Sequence, residues 1–155
     1  MLALVGDTHL PRGSRRLPDA CVAVLREASV VLHLGDFTAA SVLEELRELA
    51  PVEAVHGNMD EQPLREALPE QLVVEAEGLM IGLVHDPGPA SGRHERLRRL
   101  FPDCGLVAYG HTHLPEATFV NGVWFVNPGS PTERRRAPAH TMAVLRDGTP
   151  EIVTL

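Results

Sequence analysis

Five short polar clusters hold the residue types that bind divalent cations. They are Gly6-Asp7-Thr8-His9, Gly35-Asp36, Gly57-Asn58-Met59-Asp60, His85-Asp86 and Gly110-His111-Thr112-His113. Neutral imidazoles combined with carboxylates suit borderline ions such as Zn, Mn, Fe, Co or Ni, whereas a purely carboxylate set suits Mg or Ca better. Asp7, His9, Asp36, Asn58, His85, His111 and His113 make seven candidate ligands. One tetrahedral site takes fewer than that, while two divalent ions sharing one carboxylate would use them all. Such a pair clamps a phosphoryl group from both sides and activates a water between the ions. The amide oxygen of Asn58 adds no formal charge, which suits a centre that must also admit an anion.

Each cluster follows an apolar run that reads as a buried strand. Leu2 to Val5, Val30 to Leu34 and Val52 to Val55 alternate with helical patterns over Pro18 to Ala28 and Ser41 to Leu49. Strand, helix, strand, helix, strand is the signature of crossover units and a largely parallel sheet. A short helix is expected over residues 61–70, and a hairpin over Leu72 to Ala76 and Leu79 to Val84. Glu95 to Phe101 reads as helix with Arg96, Arg98 and Arg99 toward solvent, and Gly105 to Tyr109 as strand. Asn121-Gly122 and Asp147-Gly148 mark two further hairpins. Roughly nine or ten strands are too many for one sheet in so short a chain. The expected fold class is α/β: two packed mixed β-sheets flanked by helices, as one domain over residues 1–155. In such folds ligands bind outside the carboxyl ends of the strands, where the five clusters lie.

The ordered series GDTH at 6–9, GDF at 35–37, GNMD at 57–60, His85 and GHTH at 110–113 resembles the calcineurin-like metallophosphoesterase superfamily. It is most similar to the compact branch of small bacterial and archaeal phosphodiesterases. The likeness runs from Leu2 to about Val144 and includes the turn Asn127-Pro128-Gly129-Ser130. The resemblance implies that Asp7, His9 and His113 hold a first metal, that Asn58, His85 and His111 hold a second, and that Asp36 bridges them. It implies two divalent cations per chain (Mn, Ni, Co, Fe or Zn) and hydrolysis of a small phosphate ester by in-line attack of a water or hydroxide between the metals. It also implies the family's α/β sandwich and, as in some members, a homodimer or homotetramer. Relatives of the compact branch include a eukaryotic retromer subunit with a decayed catalytic constellation, so a metal-binding interaction scaffold is the alternative. A phosphomonoesterase or nucleotide pyrophosphohydrolase is another.

Two positions depart from the family pattern. Many members have a His after the motif Asn, in contact with substrate and proposed to protonate the leaving group; here Met59 stands there, and a thioether donates no proton. The branch also carries a second His two residues beyond the ligand His, where this chain has Pro87; Asp86 is the candidate replacement. Asp60, grouped with Asp36 and Asn58 as a catalytic candidate, reads either as support orienting a ligand His or as a turn or cap residue. His94 with Arg93 could reach a phosphate, although a solvated helix face is the simpler reading. His33 is expected to be buried and hydrogen-bonded, His56 is ambiguous, and His140 is expected to be structural or exposed. Arg134, Arg135 and Arg136 could steer an anion or simply form a solvated loop.

Composition narrows the remaining classes. A net charge of −7 and an aromatic content of 4% argue against a nucleic-acid partner or an anionic membrane surface. Bound cations would still reverse the local sign for a phosphate substrate. All 14 basic residues are Arg. Cys21 and Cys104 sit in apolar surroundings and read as buried free thiols. Met1 to Gly6 lacks the basic leader and cleavage site of a signal peptide. No apolar stretch reaches membrane-spanning length, and a cytoplasmic location is expected.

Overall fold

The computed structural model describes residues 1–155. The first half of the chain runs β1 (Leu2–Val5), α1 (Asp19–Glu27), β2 (Val30–His33), α2 (Ala40–Arg47), β3 (Val52–Ala54) and α3 (Gln62–Ala67). The second half runs β4 (Gln71–Ala76), β5 (Leu79–Val84), α4 (Arg93–Leu100), β6 (Leu106–Tyr109), β7 (Glu116–Val120), β8 (Val123–Asn127), β9 (Thr141–Arg146) and β10 (Thr149–Thr154). Two mixed five-stranded sheets result, ordered β10-β9-β1-β2-β3 and β4-β5-β6-β8-β7. This is the expected pair of mixed sheets flanked by helices.

The packing follows from strand periodicity. Alternate side chains of β1 point to opposite faces. Leu2 and Leu4 meet Ile81, Leu83, Leu106 and Val126 of the facing sheet. Ala3 and Val5 join Cys21, Leu25, Val42 and Leu46 under α1 and α2. On the far side, Leu97 of α4 and Phe101 just after it cover Val107, Tyr109 and Phe125. The layers are therefore helices, sheet, sheet, helix. Both faces of the central strands are covered, which explains why β1 and β6 are apolar throughout.

Three hairpins turn on Glu77-Gly78, Asn121-Gly122 and Asp147-Gly148, and all six residues have positive φ. That is the two-residue turn matching strand twist. Strands β1, β2 and β3 are mutually parallel, as are β5, β6 and β8. Their carboxyl ends carry the polar clusters. No helix is long and apolar enough to cross a membrane.

Some boundaries differ from expectation. Helix α4 begins at Arg93, on a left-handed Gly92. Arg96 does not face solvent freely: its guanidinium donates to the carbonyls of Pro87 (2.7 Å) and Pro89 (2.5 Å) and fixes the loop after β5.

Candidate metal centre

Backbone contacts between loops bring the clusters together. The Asp7 amide donates to Gly35 O (2.9 Å) and the His9 amide to Asp36 O (3.0 Å), so the loop after β1 lies against the loop after β2. Gly35, at φ +85°, and Gly57 then touch with no side chain between them; a Cβ on Gly35 would sit 2.7 Å from Gly57 N. Asp60 ties the same loops. Its Oδ2 accepts the amides of Gly57 (2.7 Å) and Asp36 (3.0 Å), and its Oδ1 accepts that of Thr38 (2.8 Å). Burial pushes the Asp60 carboxyl above its usual range against the pull of these amides, and the Asp36 charge adds to it.

Asp7, His9, Asp36, His111 and His113 all have positive φ, between 44° and 67°. Each such residue costs about 1–3 kcal/mol and persists only where its surroundings over-determine it. The loop-to-loop bonds supply that constraint and turn the side chains into a shared space.

Two sets of ligand atoms face each other. In the first, His113 Nε2 lies 3.3 Å from both His9 Nε2 and Asp7 Oδ1. In the second, Asn58 Oδ1 lies 3.0 Å from His85 Nε2 and 3.1 Å from His111 Nδ1. Asp36 Oδ2 stands between them, 3.7 Å from His9 Nε2 and 3.4 Å from His85 Nε2. Its Oδ1 accepts the Met59 amide at 2.7 Å, leaving Oδ2 free for both sets. Ligands about 2.1 Å from one ion lie about 3.4 Å apart in tetrahedral geometry, so these separations suit a cation in each set.

The tautomers agree. His85 Nδ1 donates to Leu34 O at 2.7 Å, and His113 Nδ1 donates to Glu133 O, so both present a bare Nε2 to the centre. Burial lowers the His9 pKa, with Asp36 and Asp7 opposing, and favours the neutral, ligating form. Burial also opposes charge on His85 and Asp36, yet their mutual attraction raises the His85 pKa and lowers that of Asp36. Most telling is Asp7 Oδ1, which is buried without any hydrogen-bond partner. An orphaned carboxylate oxygen facing imidazole nitrogens is costly in a protein interior unless a cation meets it. The donor set fits divalent metal ions.

A family model for the calcineurin-like phosphoesterase superfamily domain matches residues 1–148. The chain belongs to that superfamily. A "probable metallophosphoesterase" of Methanothermobacter thermautotrophicus is 35% identical to this phosphoesterase over 150 residues, covering 96% of this chain and 87% of that protein. A solved protein of Thermotoga maritima superposes with a TM-score of 0.75 at 33% identity, covering 99% of this chain and 98% of its own. Wild-type Vps29 of Entamoeba histolytica, solved in complex with Zn2+, superposes at 0.78 with 26% identity, covering 99% and 97%.

All seven ligand candidates of the phosphoesterase thus converge, five of them buried, with His111 half-buried and Asn58 exposed. Asp60 does not join them: both oxygens face backbone amides, so it is corrected from a catalytic to a positioning residue. Asp86 Oδ1 accepts the Gly88 amide (2.7 Å), and the residue lines a depression beside Asn58 and His85. The Met59 side chain is 56% exposed. His33 is fully buried between Thr8 Oγ1 (3.2 Å) and the Gly35 amide (3.1 Å), and burial holds its pKa well below the usual value. His56 lines a depression of about 220 Å³ with Asn58, Glu70 and His85. His94, with about a third of its side chain exposed, stacks on Phe125 and pairs with Glu116 at 2.6 Å. Arg134 donates to the carbonyls of Ala137 and Pro138. Cys21 and Cys104 are free and buried; burial pushes the Cys21 thiol up to about 12, so it supplies no thiolate.

The turn after β8 carries roles that the sequence did not announce. Asn127 Nδ2 donates to Gly110 O (3.0 Å) and Thr112 Oγ1 (2.9 Å), bracing the loop of His111 and His113. Ser130 Oγ donates to Asp7 O at 2.8 Å and Thr132 Oγ1 to Thr8 O at 2.6 Å. The only signal was the turn motif itself.

Proposed function

We propose that this phosphoesterase is a dinuclear phosphodiesterase acting on small, accessible phosphate esters. The observation that carries the reading is Asp36 Oδ2, set within 3.7 Å of a ligand nitrogen in each of two clusters. When bound, two divalent cations (Mn, Ni, Co, Fe or Zn) would activate water and neutralise charge on the phosphoryl oxygens. The chain's own residues do the rest. The backbone carbonyls at Leu34 and Glu133 fix the imidazole tautomers, and the Met59 amide orients Asp36. Exposed Asn58 and half-buried His111 leave an open edge for substrate.

Activated aryl diesters are favoured over alkyl monoesters because the Met59 position offers no proton to a departing alkoxide, whereas an aryl oxide leaves with little help. The scaffold alternative rests on the likeness to Vps29. Retention of all seven ligands, with the orphaned Asp7 oxygen, favours the enzyme.

The test is to strip the protein of metal, add back Mn, Ni, Co, Fe or Zn singly, and follow hydrolysis of an activated aryl phosphodiester and its monoester. Turnover that needs metal and is abolished by Asp36→Ala is expected. Turnover indifferent to both metal and Asp36 would end the reading.

A further inference from the structure

A residue outside the seven reaches the first ligand set. Glu133 Oε2 lies 3.7 Å from His9 Nε2. Asp36 Oδ2 and Asp7 Oδ1 stand from the same nitrogen at 3.7 and 3.8 Å. Two ligands on one ion, each about 2.1 Å from it, are about 3.6 Å apart when they subtend 120°. The Glu133 carboxylate is therefore spaced from His9 as the other ligands are.

Its placement is fixed from three sides. The Glu133 carbonyl accepts His113 Nδ1. Its amide donates to Ser130 Oγ at 2.9 Å, and Ser130 in turn holds the Asp7 carbonyl. Behind the carboxylate stand Arg12 Nη1, 3.3 Å from Oε1, and Arg15 Nη1, 3.6 Å from Oε2. One residue thus touches His9 with its side chain, His113 with its carbonyl and Asp7 through Ser130.

We propose that Glu133 is an eighth ligand of the centre, adding a carboxylate oxygen to the cation held by Asp7, His9 and His113, with Arg12 and Arg15 setting its rotamer. This rests on the two-cation reading above. It makes the centre asymmetric. The first set then has two carboxylates of its own, Asp7 and Glu133, whereas the second has only the shared Asp36 beside neutral Asn58, His85 and His111. The first site should load first and more tightly, since carboxylate charge raises cation affinity.

Calorimetric titration of the metal-free full chain with Mn2+ tests this, with visible absorption of the Co2+-loaded protein as a second readout. The wild type should take up two ions in two resolved steps. Glu133→Ala should weaken the tighter step about 10–100-fold, the range for groups that support a metal site, and leave the weaker step alone. Absorption at the first equivalent of Co2+ should change as a ligand is lost. Glu133→Gln, which keeps the side-chain shape and the backbone bonds, should also weaken the tighter step and guards against misfolding of the alanine variant. Two unchanged steps with superimposable Co2+ spectra in both variants would overturn the ligand role while leaving the two-cation centre intact. Equal weakening of both steps with an unchanged spectrum would also overturn it, reducing Glu133 to a remote charge. A wild-type chain that takes up no divalent ion would remove the two-cation reading, and Glu133 with it.

Discussion

Gly57→Ala is the sharpest probe of how the centre is assembled. A Cβ at that position would lie 2.1 Å from Asp36 Oδ1, 2.5 Å from Asp36 N and 2.8 Å from Asp36 Cγ. Ordinary contact begins near 3.4 Å, so the two loops must part by more than an ångström. That movement breaks the 2.7 Å bond from the Met59 amide to Asp36 Oδ1 and swings Oδ2 away from His9 and His85. Overpacking of this kind costs about 1–3 kcal/mol. The lost bond to a charged acceptor adds about 1.5–3 kcal/mol. The sum, about 2.5–6 kcal/mol, is a large part of the 5–15 kcal/mol that holds a typical domain together. Urea unfolding of the metal-free protein should show that loss. Mass spectrometry after metal saturation and dialysis should find fewer ions per chain than in the wild type. Gly13→Ala is the control: its φ is +57° and a Cβ there meets nothing within 4 Å. It should lose only the backbone term of about 1–2 kcal/mol and keep its metal. A Gly57→Ala protein as stable and as well loaded as the wild type would refute the idea that glycine contact sets the Asp36 position.

Two further expectations concern protons. Met59→His should raise turnover selectively on poor alkyl leaving groups, by up to about 10²–10⁴-fold if the imidazole reaches the leaving oxygen; an unchanged ratio of alkyl to aryl rates would count against the missing-acid account. His33 is neutral and buried in the fold, with its pKa held well below 6.5. The unfolded chain therefore binds a proton that the folded chain refuses, and stability present above the ordinary His pKa of about 6.5 is lost as pH falls below it, at up to about 1.4 kcal/mol per pH unit. The difference in unfolding free energy between wild type and His33→Gln, measured from pH 7.5 to 5, should shrink toward acid; a constant difference would refute the assignment.

Much of this was legible in the sequence because it depends on local chemistry. Leu2 to Val5 could only be a buried strand, and Asn121-Gly122 and Asp147-Gly148 could scarcely be anything but turns. Apolar runs ending in Asp, Asn or His mark the candidate ligands. What stayed hidden depends on which loops meet. Nothing local distinguishes Asp60, which binds three amides from two loops, from an Asp that touches an ion. Arg96 sits in a run of arginines that patterns as a solvated face, and only the loop folded over it gives it carbonyls to bind. His94 finds Glu116 across a gap of 22 residues. Glu133 follows a recognisable turn, but its approach to His9 spans the chain.

The ligands come from both layers of the sandwich. Asp7, His9, Asp36 and Asn58 ride on loops of one sheet, while His85, His111 and His113 ride on loops of the other. Divalent metal bound in that gap would act as a rivet through a seam whose inner faces are Leu4, Leu32, Leu83 and Ala108. Repacking the seam a long way from any ligand would slide one sheet against the other and be read out as altered metal affinity. Loading the metal would conversely brace the whole interlayer against unfolding, in proportion to the logarithm of free ion concentration.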